Sequence, residues 1–99
     1  MAVEKYGFVY IWRDKKKGMY YIGCHWGTHD DGYICSSNWM RMAYTRRTHD
    51  FKRRILVTGL TREQMYLEEQ RFFSMIKPDE IKVRYYNLRL TTPTKPWHA

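Results

Sequence analysis

Glu69 is the side chain whose position asks most of its surroundings. In LTREQMYLEEQRFFSMIKP, Thr61 and Gln64 fit a capping box, Leu60 and Met65 fit a hydrophobic staple, and Lys77-Pro78 marks a stop. The spacing predicts a helix from Arg62 to about Ile76. On its wheel Met65, Phe72, Phe73 and Ile76 form one apolar stripe, and Glu69 falls inside that stripe. A carboxylate turned toward a core is costly unless a cation, a metal ion or strong hydrogen-bond donors stand beside it. An ion pair with one of the many arginines and a catalytic role weigh about equally here. Glu68, off the stripe, reads as solvated. The second candidate group is VYIWRDKKKGMYYIG, Val9 to Gly23, whose two tyrosine-bearing apolar runs flank a Lys-rich turn and are followed at once by Cys24, His25 and Trp26. His29-Asp30-Asp31 has metal-ligand residue types, but it lies in a polar stretch beside Gly32 and reads as a turn.

These residues need elements to hold them. Phe8 to Trp12 and Met19 to Ile22 read as a β-hairpin closed by Asp14-Lys15-Lys16-Lys17-Gly18. GCHWGTHDDGYICSS is rich in Gly, Asp and Ser, without a sustained period, and reads as a structured loop. Ser36 or Ser37 can cap a helix through Trp39, Met40, Ala43 and Tyr44, with Arg46-Arg47 suited to its C-terminal dipole. FKRRILV, Phe51 to Val57, alternates as a third strand, with Phe51, Arg53, Ile55 and Val57 on one face. The expected fold is α/β (α+β): a small, mainly antiparallel three-stranded sheet flanked by helices. Residues 1–90 form one domain on this reading, and TTPTKPWHA, residues 91–99, forms a tail.

Composition narrows the partners. A chain of 99 residues with 43% hydrophobic and 17% aromatic content supports one modest core. A net charge of +8 favours a polyanion such as nucleic acid. No apolar run approaches the roughly 20 residues that span a bilayer, and MAVEKYG lacks a signal-peptide core. A cytoplasmic location with no membrane partner is expected. Two cysteines, Cys24 and Cys35, without a CxxC pair, are expected to be free thiols.

Val9-Tyr10, Tyr21-Ile22-Gly23, the middle helix, the third strand, the helix bearing Glu69 and the closing Tyr85-Tyr86-Asn87 together resemble the GIY-YIG nuclease domain in the form found in phage homing endonucleases. The resemblance runs from about Gly7 to Leu88. The second half of the signature is intact as Tyr21-Ile22-Gly23, whereas the first reads Phe8-Val9-Tyr10 and lacks its leading glycine. The resemblance implies that Tyr10 and Tyr21 face a scissile phosphate, one of them helping to activate water. It implies that Glu69 binds one divalent metal, Mg²⁺ or Mn²⁺, that Gly23 lets the backbone pass close to the site, and that Asn87 anchors the last segment or hydrogen-bonds near the active groups. One inward carboxylate suffices for a hard cation that completes its shell with water and phosphate oxygens.

Many members of that family carry an arginine on a helix shortly after the second signature, and CHWGTHDDGYICSS contains none. His25 is the first candidate to replace it, because an imidazole can hydrogen-bond or protonate a phosphate oxygen or assist a tyrosine. Arg41 is the second, offering a permanent charge in a planar fork. Arg46, Arg47, Lys52, Arg53 and Arg54 can track a DNA backbone, with a solvated basic face as the plain alternative. The resulting expectation is a metal-dependent endonuclease acting on double-stranded DNA in a phage-infected or bacterial cell. The alternative is a non-catalytic nucleic-acid-binding module on a degenerate nuclease fold. Only about a dozen residues follow Asn87, so on this reading either target specificity is low, or a dimer, a partner or a separate DNA-recognition domain supplies it, or the chain is a fragment of a longer protein. Trp12, Trp26 and Trp39 are expected to serve packing, and Trp97 to lie in the tail.

Overall fold

The computed structural model describes residues 4–88 and residue 90. The hairpin forms as its composition requires, with β1 at Tyr6–Asp14 and β2 at Met19–Gly27 paired antiparallel, Tyr10 opposite Gly23 and Trp12 opposite Tyr21. Gly18 closes the turn in the left-handed region, at φ 64°, where a side chain would be strained. The third strand, β3 at Phe51–Leu60, pairs antiparallel with the other side of β1, so β1 is central in the order β2-β1-β3. β3 runs three residues beyond the expected Val57. A register irregularity opposite Val9 and Tyr10 breaks the simple alternation read from its sequence.

Each face of the sheet carries a helix. α1, Asn38–Arg46, starts at Ser37, whose hydroxyl accepts from the Met40 amide at 3.2 Å, and it covers the face bearing Phe8, Tyr10, Trp12, Met19 and Tyr21. α2, Arg62–Phe73, starts at Thr61 with both halves of the capping box made and covers the opposite face, where Val9 and Ile22 meet Phe73 and Ile76. Full burial of a side chain such as Val9 or Phe73 stabilises the fold by roughly 1.5–3 kcal/mol. α2 ends at Phe73 rather than at Ile76, yet Ile76 still joins the core. The architecture is therefore a small antiparallel three-stranded sheet flanked by two helices.

The sequence reading of Gly23 to Ser37 as one loop does not hold at its start. Cys24, His25 and Trp26 are not in a loop, because β2 continues through them to Gly27. Their pairing with β1 holds them extended, His25 lying opposite Phe8. Glycines 23 and 27 make the stretch look loop-like in sequence, but each leaves room for side chains above the sheet.

After α2 the chain passes a 3-10 turn at Pro78–Glu80 and returns along the outer edge of β2. The Tyr20 amide donates to the Arg84 carbonyl at 2.7 Å and the Tyr86 amide to the Tyr20 carbonyl at 2.8 Å. Asn87 completes this edge by mimicking a backbone, accepting from the Ile22 amide at 3.0 Å and donating to the Ile22 carbonyl at 2.7 Å. Beneath this face Asp14, 1% exposed, accepts a forked pair of bonds from Arg47 at 2.9 and 2.7 Å and another from the Tyr86 hydroxyl at 2.6 Å. Among the described residues neither Cys24 nor Cys35 is in a disulfide. No helix among the described residues is long and apolar enough to cross a membrane. The expected tail, residues 91–99 with Trp97, lies outside the described residues.

Candidate functional site

Asn87 fastens β2 at Ile22, and the next residue is Gly23. Its missing side chain is a geometric requirement. A Cβ at Gly23 would fall 2.6 Å from the Tyr10 hydroxyl and 2.8 Å from the Tyr21 ring, so the two tyrosines close over this glycine. Their rings stack 6.3 Å apart at 30°. The pairing register brings them there, since Tyr10 lies opposite Gly23 and Tyr21 is two residues earlier on the same face of β2. The Tyr21 hydroxyl shares a 2.9 Å hydrogen bond with the Ser36 hydroxyl, just ahead of α1. The Tyr10 hydroxyl is buried and has no hydrogen-bond partner among the described residues. Such a group costs about 1–3 kcal/mol when left unsatisfied.

Burial acts on both phenols in the same direction. It holds the Tyr10 hydroxyl well above its ordinary pKa, and repulsion from Tyr21 adds to that. It pushes Tyr21 up to about 12 against the opposing hydrogen bond from Ser36. Both are neutral phenols at pH 7. Glu69, 7% exposed on α2, also acts unfavourably on a Tyr21 phenolate, so its carboxylate lies within electrostatic reach of Tyr21. The inward turn of Glu69 read from the helical wheel is observed, and Glu68 lies off the stripe beside Arg71, 2.8 Å away.

His25 extends the same face of β2 beyond Gly23. Its Nε2 lies 2.7 Å from Asp31 Oδ2, and its ring stacks on Tyr33 with centroids 3.9 Å apart and planes 3° from parallel. Asp31 is held in turn by the Thr28 amide at 3.3 Å and the Tyr33 amide at 3.0 Å. These bonds keep its carboxyl below its usual range although desolvation opposes them. The stretch read as a turn at His29-Asp30-Asp31 thus supplies a partner for His25. Asp31, Tyr33 and Ser36 were not distinguished as site neighbours by sequence reasoning. The usable signal was the alternation of Gly23, His25 and Gly27, which marks one strand face.

Arg41 is exposed on α1, where it bonds Asn38, and its charge favours the ionised forms of Tyr33 and Cys35, which places it near the same face. The basic run divides. Arg46 is exposed at the end of α1, and Lys52 and Arg54 are exposed on β3. Arg47 is engaged by Asp14 and by Asp50 at 3.0 Å, and its guanidinium lies 5.5 Å from the Phe51 ring. Arg53 donates to the His29 carbonyl and lies 5.9 Å from the rings of both Phe8 and Trp12. Trp12 is a core residue donating to the Ile34 carbonyl at 2.9 Å, Trp26 sits under Arg62, and Trp39 packs edge-on to Tyr86.

Among the described residues no group of three or more His, Cys, Asp or Glu converges to hold a metal ion. The donor set therefore fits only a cation that accepts a single carboxylate, Glu69, and takes its other ligands from water and substrate oxygens. No protein-family model, curated protein or solved structure matches the chain.

Proposed function

We propose that this protein is a divalent-metal-dependent endonuclease of the GIY-YIG type, hydrolysing phosphodiester bonds in double-stranded DNA. The observation that carries this reading is the Tyr10 hydroxyl, buried over Gly23 without a partner among the described residues and beside Tyr21, on which the carboxylate of the buried Glu69 acts electrostatically. A polar group kept at such a cost is accounted for when its partner is a substrate oxygen or the attacking water.

Glu69 would hold Mg²⁺ or Mn²⁺. When bound, the cation polarises the phosphoryl oxygens and stabilises the leaving oxygen. Tyr10 and Tyr21, neutral at pH 7, donate hydrogen bonds that orient the water and a phosphate oxygen. Gly23 leaves the space they occupy, and Asn87 fixes the β2 edge beside them. His25 or Arg41 neutralises the phosphate, His25 being on the strand that carries Tyr21 and Arg41 on the helix that follows.

Nicking of supercoiled plasmid with Mg²⁺ or Mn²⁺ tests this. Wild type should nick, and Glu69→Ala should lose at least about 10²-fold in rate, the equivalent of a few kcal/mol of transition-state stabilisation. If both proteins bind DNA and neither nicks it, the chain is a binding module and the hydrolase reading fails.

A further inference from the structure

A phenol whose pKa is raised is a poor proton acceptor at neutral pH, and burial raises both Tyr10 and Tyr21. Water activation therefore calls for another base near Gly23. The imidazole of His25 is on the same strand face, two residues away.

We infer that His25 and Asp31 form a base dyad in which Asp31 is a positioning residue and His25 Nδ1 accepts the proton of the attacking water. This rests on the hydrolase reading above and leaves neutralisation of the phosphate to Arg41. The ring orientation carries it. A Cβ at Gly27 would collide with Asp31 Oδ2 and meet His25 Nε2 at 2.6 Å, with His25 Cδ2 at 3.1 Å. The Nε2–Cδ2 edge of the ring thus lies on Gly27. Nδ1 is the opposite vertex of the ring, and Gly23 flanks His25 on the opposite side from Gly27, so Nδ1 is turned toward the tyrosine pair. An ionised Asp31 only accepts, which requires Nε2 to carry hydrogen and leaves Nδ1 with a lone pair.

The ring has little freedom to turn. Tyr33 lies flat against it at 3.9 Å, and Phe8 meets it edge-on at 5.7 Å. Asp31 is itself held by two backbone amides. Among the described residues the charged and titratable groups around the imidazole are Asp31 and Tyr33 from the 28–37 segment, His29 from the same segment across the Phe8 ring, Tyr10 from β1 beyond Phe8, Cys24 beside it on β2, and Arg53 from β3, also across the Phe8 ring. Asp31 is the group in contact with Nε2 and is placed to stabilise an imidazolium.

Water adds to phosphorus through its oxygen while one of its protons moves to Nδ1. The bond from phosphorus to the 3′ oxygen breaks, and that oxygen takes a proton from solvent to become a hydroxyl. The product phosphate stays on the 5′ side, and the imidazolium returns its proton to solvent.

Two measurements test the dyad. Nitrogen-15 NMR of the histidine rings at pH 8, without DNA or metal, should show His25 with hydrogen on Nε2 and none on Nδ1, and Asp31→Ala should give a mixture of tautomers. The second is the pH dependence of plasmid nicking with Mg²⁺. His25→Ala should lower kcat about 10²-fold with little change in KM, flatten the acidic limb of the rate profile, and recover activity when free imidazole is added. A His25 protonated on Nδ1 in the wild type overturns the dyad. So does nicking by His25→Ala with an unchanged acidic limb. Absence of nicking by wild type that binds DNA overturns the hydrolase reading and the base role with it, while the tautomer measurement distinguishes that failure from a failure of the His25–Asp31 geometry.

Discussion

At the scale of single residues, stability and activity pull Tyr10 in opposite directions on the proposed hydrolase reading. Its ring is needed in the core, packing against Phe8 and Tyr21, but its hydroxyl gives nothing back to the fold. Tyr10→Phe keeps the ring and removes the unsatisfied group. We expect it to raise unfolding free energy by about 1 kcal/mol, the low end of the cost of a buried unpaired polar group. Plasmid nicking should fall at least tenfold. Urea denaturation and the nicking assay check the two halves separately. A stabilised variant with undiminished nicking would reduce Tyr10 to a core residue. Gly23 follows the same logic from the other side, since its hydrogen is what lets the Tyr10 hydroxyl approach the strand.

At the scale of elements, Asp14 joins three parts of the chain that the sequence keeps far apart. It ends β1, its Oδ1 accepts from the Lys16 and Lys17 amides at 3.1 and 3.3 Å, and it meets Arg47 after α1 and Tyr86 on the returning segment. The Arg47 guanidinium beside it, with the Tyr86 and Lys17 bonds, holds its carboxyl far below the usual range against the opposing effect of burial. A carboxyl depressed in the folded state contributes stability that is present above its unfolded value, about 3.9, and lost as pH falls through the folded value. Acid titration should therefore destabilise the protein below about pH 4, and Asp14→Ala should flatten that part of the curve. At neutral pH the same change strips the Tyr86 hydroxyl of its acceptor and should cost about 1–3 kcal/mol in urea denaturation. What was legible in sequence divides along the same line of local against distant causes. The cap at Thr61, the stripe around Glu69 and the hairpin turn are set within a few residues, so their spacing displayed them. Glu69 reached its inward place for that reason. Arg47 gave no sign of its engagement because its partner is 33 residues away. His25 was misplaced into a loop because Gly23 and Gly27, read locally, look like chain breakers. Only the pairing with β1 and the bulk of Tyr10, Tyr21 and Asp31 above them explain why glycine stands there.

For the molecule as a whole, the net charge of +8 is less informative than how it is distributed. Arg47 and Arg53 are turned inward to Asp14, Asp50 and the His29 carbonyl, whereas Lys52 and Arg54 lie exposed on the other face of β3, opposite Arg13 and Ile11 of β1. Lys52 directly opposite Arg13 places two like charges across the strand pair, which destabilises a sheet. A polyanion neutralising that pair would relieve the repulsion. With DNA as the proposed partner, affinity should fall steeply with salt, with a log–log slope of about −0.9 per phosphate neutralised. Lys52→Gln and Arg54→Gln should each reduce the magnitude of that slope by about one without lowering stability. Arg47→Gln should do the reverse, weakening the fold through Asp14 while leaving the slope unchanged. Filter binding or fluorescence anisotropy across a salt series, run beside urea denaturation, separates the two effects. A slope that responds to Arg47 and not to Lys52 or Arg54 would move the DNA path to the α1 face, where Arg41 and Arg46 flank Met42 and Thr45.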